Sequence, residues 1–318
     1  MANITTYRQK RFRYLLYFIK NAWFVLLWKL FRRKKKVLRF AGITNITQEL
    51  GNQTLKDSIL SGQPFAAVRF GATELSCLNN YEKIQLGWRR DYKKSVRYSM
   101  KNNGGFFPTT DTNLNYYCTY YLRELSKTDI LGISGIHMED YFYRKYIPNA
   151  RIIQYNSFEP LMGDWTQALA GKRVLVVSPF ASLIEKQYAQ RQSIINNELV
   201  LPEFTLMTVA AVQTIGEEYD ERFHNWFEAL DYLKLEILKH EFDVALIGAG
   251  AFGAPLCWFI KSRGKQAIQT GGATQLLFGI MGRRWEKRPH VTRYVTAAWT
   301  RPDAKPKGAD QVENGCYW

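Results

Sequence analysis

The chain has 318 residues, 46% hydrophobic and 23% charged, the composition of a globular protein with a sizeable core. Its four cysteines, Cys77, Cys118, Cys257 and Cys316, are far apart and include no CxxC pair, which argues against a zinc site or a disulfide framework and for a reducing compartment. The net charge of +16 is concentrated at one end: residues 1–40 hold twelve Lys or Arg and no acid, leaving 32 basic against 28 acidic residues in the rest, so no nucleic-acid partner is expected.

The chain begins with a basic, aromatic segment, residues 1–40, ahead of a body spanning 41–318. From Tyr14 to Phe31 fifteen of eighteen residues are apolar or aromatic. On a helix, Phe12, Leu15, Leu16, Ile19, Trp23, Leu26, Leu27 and Leu30 form one stripe, with Lys10, Arg13, Tyr17, Lys20 and Asn21 roughly opposite. That spacing predicts an amphipathic helix lying on an anionic membrane surface, aided by the basic run Arg32–Lys36. A spanning helix would place Lys20 and Asn21 mid-membrane, and a cleaved signal peptide would want small residues where the basic run stands. A helix packed on the protein's own core is the remaining alternative.

After Gly42 short apolar runs alternate with helical periodicities. The expected strands are Phe65–Arg69, Ile130–Ser134, Ile152–Tyr155, Val174–Ser178, Thr205–Val209, Val244–Gly248 and Gln266–Gln269. Several are apolar throughout, as in a parallel sheet covered on both faces. The clearest helix runs from Arg222 to His240. The alternation predicts a single α/β domain, a Rossmann-like, doubly wound and mostly parallel sheet. The polar stretch Pro302–Gln311 reads as a surface extension.

Ligands of such sheets bind at the carboxyl ends of the strands. After the first strand comes Arg69-Phe70-Gly71-Ala72-Thr73-Glu74: Gly71 allows a tight turn, Arg69 is placed to clamp a phosphate, and Glu74 to act as a general base or a cation ligand, unless the two form only an ion pair. After the fourth comes Ser178-Pro179-Phe180-Ala181-Ser182, a helix start with hydroxyls that suits a phosphate, although Ser182 also fits a plain helix cap. After the sixth comes Gly248-Ala249-Gly250-Ala251-Phe252-Gly253, a GxGxxG in its strand–turn–helix context. The next strand ends in Gln269-Thr270-Gly271-Gly272 without the acid that a dinucleotide ribose requires, so a diphosphate is expected and NAD is not. Gly271, Gly272 and Gln275 extend this polar strand end. His137, just past the second strand, reads as structural. No HExxH, GxSxG or P-loop motif occurs.

Taken together these loops resemble the GT-D glycosyltransferases, a bacterial family first catalogued as a domain of unknown function. The likeness covers roughly residues 45–318. It rests on Arg69–Glu74, Val174–Ala181, Ile247–Pro255, the run Gly271-Gly272-Ala273-Thr274-Gln275-Leu276-Leu277-Phe278-Gly279-Ile280, Gly282-Arg283-Arg284-Trp285, and Gly315-Cys316-Tyr317-Trp318. The resemblance implies a Rossmann-like domain that transfers a sugar from a nucleotide-sugar, typically a UDP-sugar, to a growing glycan. It also implies a divalent metal, manganese or magnesium, held by an Asp-x-Glu pair, of which this chain keeps Glu74 but has Ala72 in place of the Asp.

The expectation that follows is a glycosyltransferase at the cytoplasmic face of the bacterial inner membrane, peripheral or monotopic, extending a lipid-linked surface glycan. Glu74 would be catalytic. Arg69, Gly71, Ser178, Ser182, Gly248, Gly250, Gly253, Gly271, Gly272 and Gln275 would bind the donor. The alternatives are an NAD-dependent oxidoreductase of sugar nucleotides and a non-catalytic, membrane-bound scaffold in glycan assembly.

Overall fold

All seven apolar runs become strands of one sheet in a computed structural model, which describes residues 2–31, 39–136, 138–195, 197–215, 220–302, 305–312 and 315–318. The strands are β1 (Phe65–Arg69), β2 (Ile130–Ile133), β3 (Arg151–Gln154), β4 (Arg173–Ser178), β5 (Thr205–Ala210), β6 (Val244–Ile247) and β7 (Gln266–Ile268). They pair in the order β3-β2-β1-β7-β6-β4-β5, and every pairing is parallel. Apolar residues on both sides of a strand are what a doubly covered sheet requires. Ala66 and Val68 of β1, with Leu175 and Val177 of β4, enter the core on one face, while Phe65, Ala67, Val174 and Val176 enter that on the other.

The helices divide between the faces. Among them are α1 (Ala2–Phe31), α2 (Gln48–Leu60), α3 (Ala72–Gln85), α4 (Lys94–Asn102), α5 (Asp111–Glu124), α6 (Glu139–Tyr146), α7 (Ala181–Tyr188), α8 (Trp226–Leu238) and α9 (Gly253–Ser262). Residues of α1, α3 to α6, α8 and α9 pack on the first face; those of α2, α7 and the turns of residues 155–169 cover the second. Helix starts are set by side-chain caps where the sequence supplies them. The Thr47 hydroxyl accepts from Leu50 N at 3.1 Å. The Asn225 side chain accepts from Phe227 N at 3.0 Å and Glu228 N at 3.1 Å. That last cap explains why α8 begins at Trp226 and not at Arg222, which instead pairs with Asp220 at 2.7 Å.

Helix α1 docks on the body by the face that the sequence marked as polar. Tyr14 is 0% exposed, set edge-on to Trp88 and Tyr141 with both centroids 5.2 Å away, and its hydroxyl bonds to Asn79. About two turns on, Lys20 pairs with Asp140 at 2.9 Å and the Asn21 side chain accepts from Met138 N at 3.1 Å. The apolar stripe points the other way: Phe12, Leu15, Leu16, Ile19, Trp23, Leu26 and Leu30 are 38–66% exposed. The helix does pack on the protein's own core, but through Tyr14, Tyr17 and Phe18 and not through that stripe. Among the described residues no helix is long and apolar enough to cross a membrane. The basic run Arg32–Lys36 and His137 lie outside the described residues.

Two further differences have simple causes. A hairpin pairs Arg39–Phe40 with Ile43–Thr44; two-residue strands leave no periodicity to read. The stretch Pro302–Gln311 is not all surface, because Ala309 is buried with Val312 and Trp318 against Phe180. Isolated apolar residues in a polar segment give no pattern.

The site's main support from the first face is Trp226, which is fully buried. Its ring stacks on Phe252 at 4.9 Å and meets Phe106 at 5.4 Å and Tyr117 at 5.3 Å. Truncating it leaves a cavity that such a crowded neighbourhood cannot refill. Trp226→Ala is expected to lower the unfolding free energy by about 3–5 kcal/mol, read as a shift in urea midpoint at unchanged slope.

Candidate active site

Parallel strands send all their carboxyl ends to one edge, and the loops there enclose a cavity of about 500 Å³. That is within the range of about 300–1,000 Å³ typical of small-molecule sites. The cavity is walled by the loop after β1 (Arg69, Gly71–Glu74), the loop after β4 (Ser178–Phe180), the glycine loop after β6 (Gly248–Gly250) and the segment after β7 (Gln269, Gly271–Gln275). Four loops that are far apart in sequence thus meet, as strand-end reasoning predicted. Ser182 and Gly253 do not line it: Ser182 is exposed on the first turn of α7, and Gly253 lies against Gln269.

Arg69 is the most constrained of the lining side chains. It is 8% exposed. Its Nη2 donates to the Thr270 carbonyl at 2.9 Å, and its backbone amide donates to Gln269 Oε1 at 2.9 Å. The guanidinium lies over the Tyr155 ring, 4.3 Å from its centroid, with Phe158 at 5.7 Å. Nε is buried without a hydrogen-bond partner. Among the described residues no ion pair to Arg69 is seen. The loop above it needs glycine: Gly271 has φ +61°, and a Cβ there would stand 2.0 Å from Arg69 Nη2.

Glu74 occupies the third position of α3, and its carboxylate folds back over Gly71, where a Cβ would lie 1.8 Å from Oε2. The residue lines the cavity yet is buried. Beneath it, burial and then the Glu74 charge push the Tyr117 and Tyr121 phenols above their ordinary range.

The GxGxxG loop departs from its expected use. Gly248 N donates to Val177 O at 2.8 Å, Ala251 N to Gly104 O at 3.0 Å, and Phe252 N to Ala249 O at 3.0 Å, so these amides are already spent. Gly248 gives close passage past Thr274 and the Gly271 carbonyl, 2.6 and 2.7 Å from a notional Cβ. These glycines mainly let the β6 and β7 loops touch. Gln275 also has a structural duty: its amide donates to Ile280 O at 3.1 Å and Tyr317 O at 3.2 Å, tying the last residues to the cavity wall. The Ser178 hydroxyl accepts from Phe180 N at 3.2 Å, within its own turn.

Several lining residues were not picked out from the sequence. Tyr155 and Asn156 follow β3 directly; the signal was the strand end itself, hidden by reading Tyr155 as part of the strand. Glu159 and His290 meet at 2.6 Å between Oε1 and Nε2, 131 positions apart, and nothing local marks either. Arg284, whose Nη1 donates to the Tyr317 hydroxyl at 3.0 Å, and Arg288 add two guanidinium groups. Phe180, Trp285, Tyr317 and Trp318 supply aromatic wall.

The donor set does not fit the divalent cation that the resemblance implies. Ala72 contributes no ligand, the Glu74 carboxylate is turned onto Gly71, and Glu159 is paired with His290. Among the described residues no group of three His, Cys, Asp or Glu side chains is placed to hold a metal.

Gly271→Ala is expected to cost about 1–2 kcal/mol from the left-handed backbone alone, and more from the contact with Arg69. Chemical denaturation measures it. A variant as stable as the parent would show that the loop is not pinned on Arg69.

The sequence matches no family model and no curated protein. A solved structure is similar, described as the highly conserved domain of unknown function 1792 with a distinct glycosyltransferase fold. The similarity covers 80% of this chain and 99% of that one, at 12% identity and a TM-score of 0.35. A likeness of that degree transfers neither strand register nor residue roles.

Proposed function

We propose that the chain is a glycosyltransferase whose cavity takes a nucleotide-sugar by its diphosphate, with a UDP-sugar as the expected donor. The observation that carries this reading is Arg69, a buried cation whose Nε has no hydrogen-bond partner, at the strand-end edge beneath a glycine pair. Such a group calls for an anion that keeps company with it in a desolvated place. The aromatic wall of Phe180, Tyr317 and Trp318 suits a base or a sugar ring. An NAD-dependent reading is weakened, since three amides of the GxGxxG loop, those of Gly248, Ala251 and Phe252, are bonded within the protein.

In the proposed reaction an acceptor hydroxyl oxygen bonds to the anomeric carbon of the donor sugar. The bond from that carbon to the β-phosphoryl oxygen breaks, and its electron pair stays on the departing nucleoside diphosphate. The hydroxyl proton passes to a cavity base. Glu74 is the first candidate; the pair in which Glu159 holds His290 by Nε2, leaving Nδ1 as the acceptor nitrogen, is a second.

The test begins with thermal unfolding of the purified protein against UDP-, GDP-, CMP- and dTDP-sugars and NAD(H). Stabilisation by one nucleotide-sugar is expected, and Glu74→Gln should keep that response while slowing transfer about 10²- to 10⁴-fold. A response to NAD(H) alone would sink the transferase reading; no response to any ligand would favour the scaffold.

The exposed stripe of α1 supports placement of the protein at an anionic leaflet such as the cytoplasmic face of an inner membrane, where a lipid-linked glycan could be the acceptor. Deleting residues 1–36 should leave a folded body that no longer floats with vesicles containing anionic phospholipid, whereas the full chain does. A truncated body that still floats would remove α1 as the anchor.

A further inference from the structure

We infer that this cavity binds the diphosphate of its nucleotide ligand without a divalent cation, Arg69 supplying the counter-charge that a metal would otherwise provide. The inference rests on the nucleotide-sugar reading above and goes further by assigning the charge.

Two independent sets of facts converge on it. The first concerns what could hold a cation. Position 72 is alanine, the Glu74 carboxylate is folded onto Gly71, Glu159 is engaged by His290 at 2.6 Å, and the described residues offer no three-group cluster. A divalent ion needs several oxygen donors converging at one point, and among the described residues no three His, Cys, Asp or Glu side chains converge.

The second concerns Arg69. Its guanidinium meets a neutral carbonyl at 2.9 Å and two neutral rings, and Nε has no hydrogen-bond partner. A charge held in a dry place without an opposite charge is unfavourable in the free protein, so the fold keeps it there at a cost to stability. Tyr155 fixes the plane of the guanidinium, and the absence of a Cβ at Gly271 lets the β7 loop close on it. A planar, permanently charged fork is suited to two phosphate oxygens at once. When the bond from anomeric carbon to β-phosphoryl oxygen breaks, the negative charge gained by the leaving diphosphate falls beside this group. That is the stabilisation a metal gives in other sites.

The experiment is isothermal titration of the full chain with UDP, GDP, CDP, dTDP and ADP as probes, once in EDTA and once in excess manganese chloride. At least one nucleoside diphosphate is expected to bind in EDTA with a Kd within about threefold of its value in manganese. Arg69→Met should weaken that binding at least tenfold, and Arg69→Lys should restore part of it, in keeping with the worth of a hydrogen bond to a charged group. Binding that appears only with manganese or magnesium would overturn the inference and leave the nucleotide-sugar reading standing. Unchanged affinity in a folded Arg69→Met protein would also overturn it. Failure of every nucleotide to bind in either buffer would overturn both. If Arg69→Met does not fold, the EDTA comparison on the unmodified protein and the Arg69→Lys variant still decide.

Discussion

The placement of Arg69 at the end of β1 is the constraint on which the rest of the site depends. A guanidinium in an apolar interior must be held on every side. The protein holds it with the Thr270 carbonyl, the face of Tyr155 and the underside of the Gly271 loop, drawn from the ends of β7 and β3. Those contacts also fix how β1, β3 and β7 hand their chains on to the loops. The sheet makes the arrangement possible, since parallel strands bring every carboxyl end to the same edge.

Behind that edge the two cores do different work. The first face is rich in aromatic rings, with Trp226, Phe252, Phe106 and Tyr117 packed in contact beneath the glycine loop. Stiff rings in such contact resist small shifts, so the turn after β6 is held from below while its amides are held from the side by Val177 and Gly104. The GxGxxG spacing therefore serves loop-to-loop packing in this chain. The second face relies on short turns between residues 155 and 169, and from these Tyr155 and Glu159 reach the cavity.

The sheet was legible from the sequence because its inner strands are buried on both sides and so read as apolar runs; β1 matched residue for residue and the others within one position at either end. The strand-end loops were legible for the same reason, and Arg69, Gly71, Glu74, Gly248 and Gly271 do line one cavity. Less could be seen where position depends on tertiary contact. Ser182 faces solvent because α7 turns its first-turn hydroxyl outward, and Gly253 is used against Gln269. Glu159 and His290 meet only because the chain returns after 131 residues, and neither sits in a motif. The stripe on α1 was visible, but the burial of Tyr14 was not. One aromatic among many on this helix gives no sign that three partners wait for it on other elements.

The docking of α1 has a geometric consequence. Tyr14 is seated among Trp88, Tyr141 and Asn79, and Lys20 and Asn21 are bonded to α6 and the residue before it. A helix gripped at two levels cannot roll about its own axis, so the stripe and the body keep one azimuth. Any planar surface that takes up the stripe therefore also sets the tilt of the sheet and the heading of the cavity mouth. A flexible tether would hold the body near a surface in every orientation; this helix would present it in one.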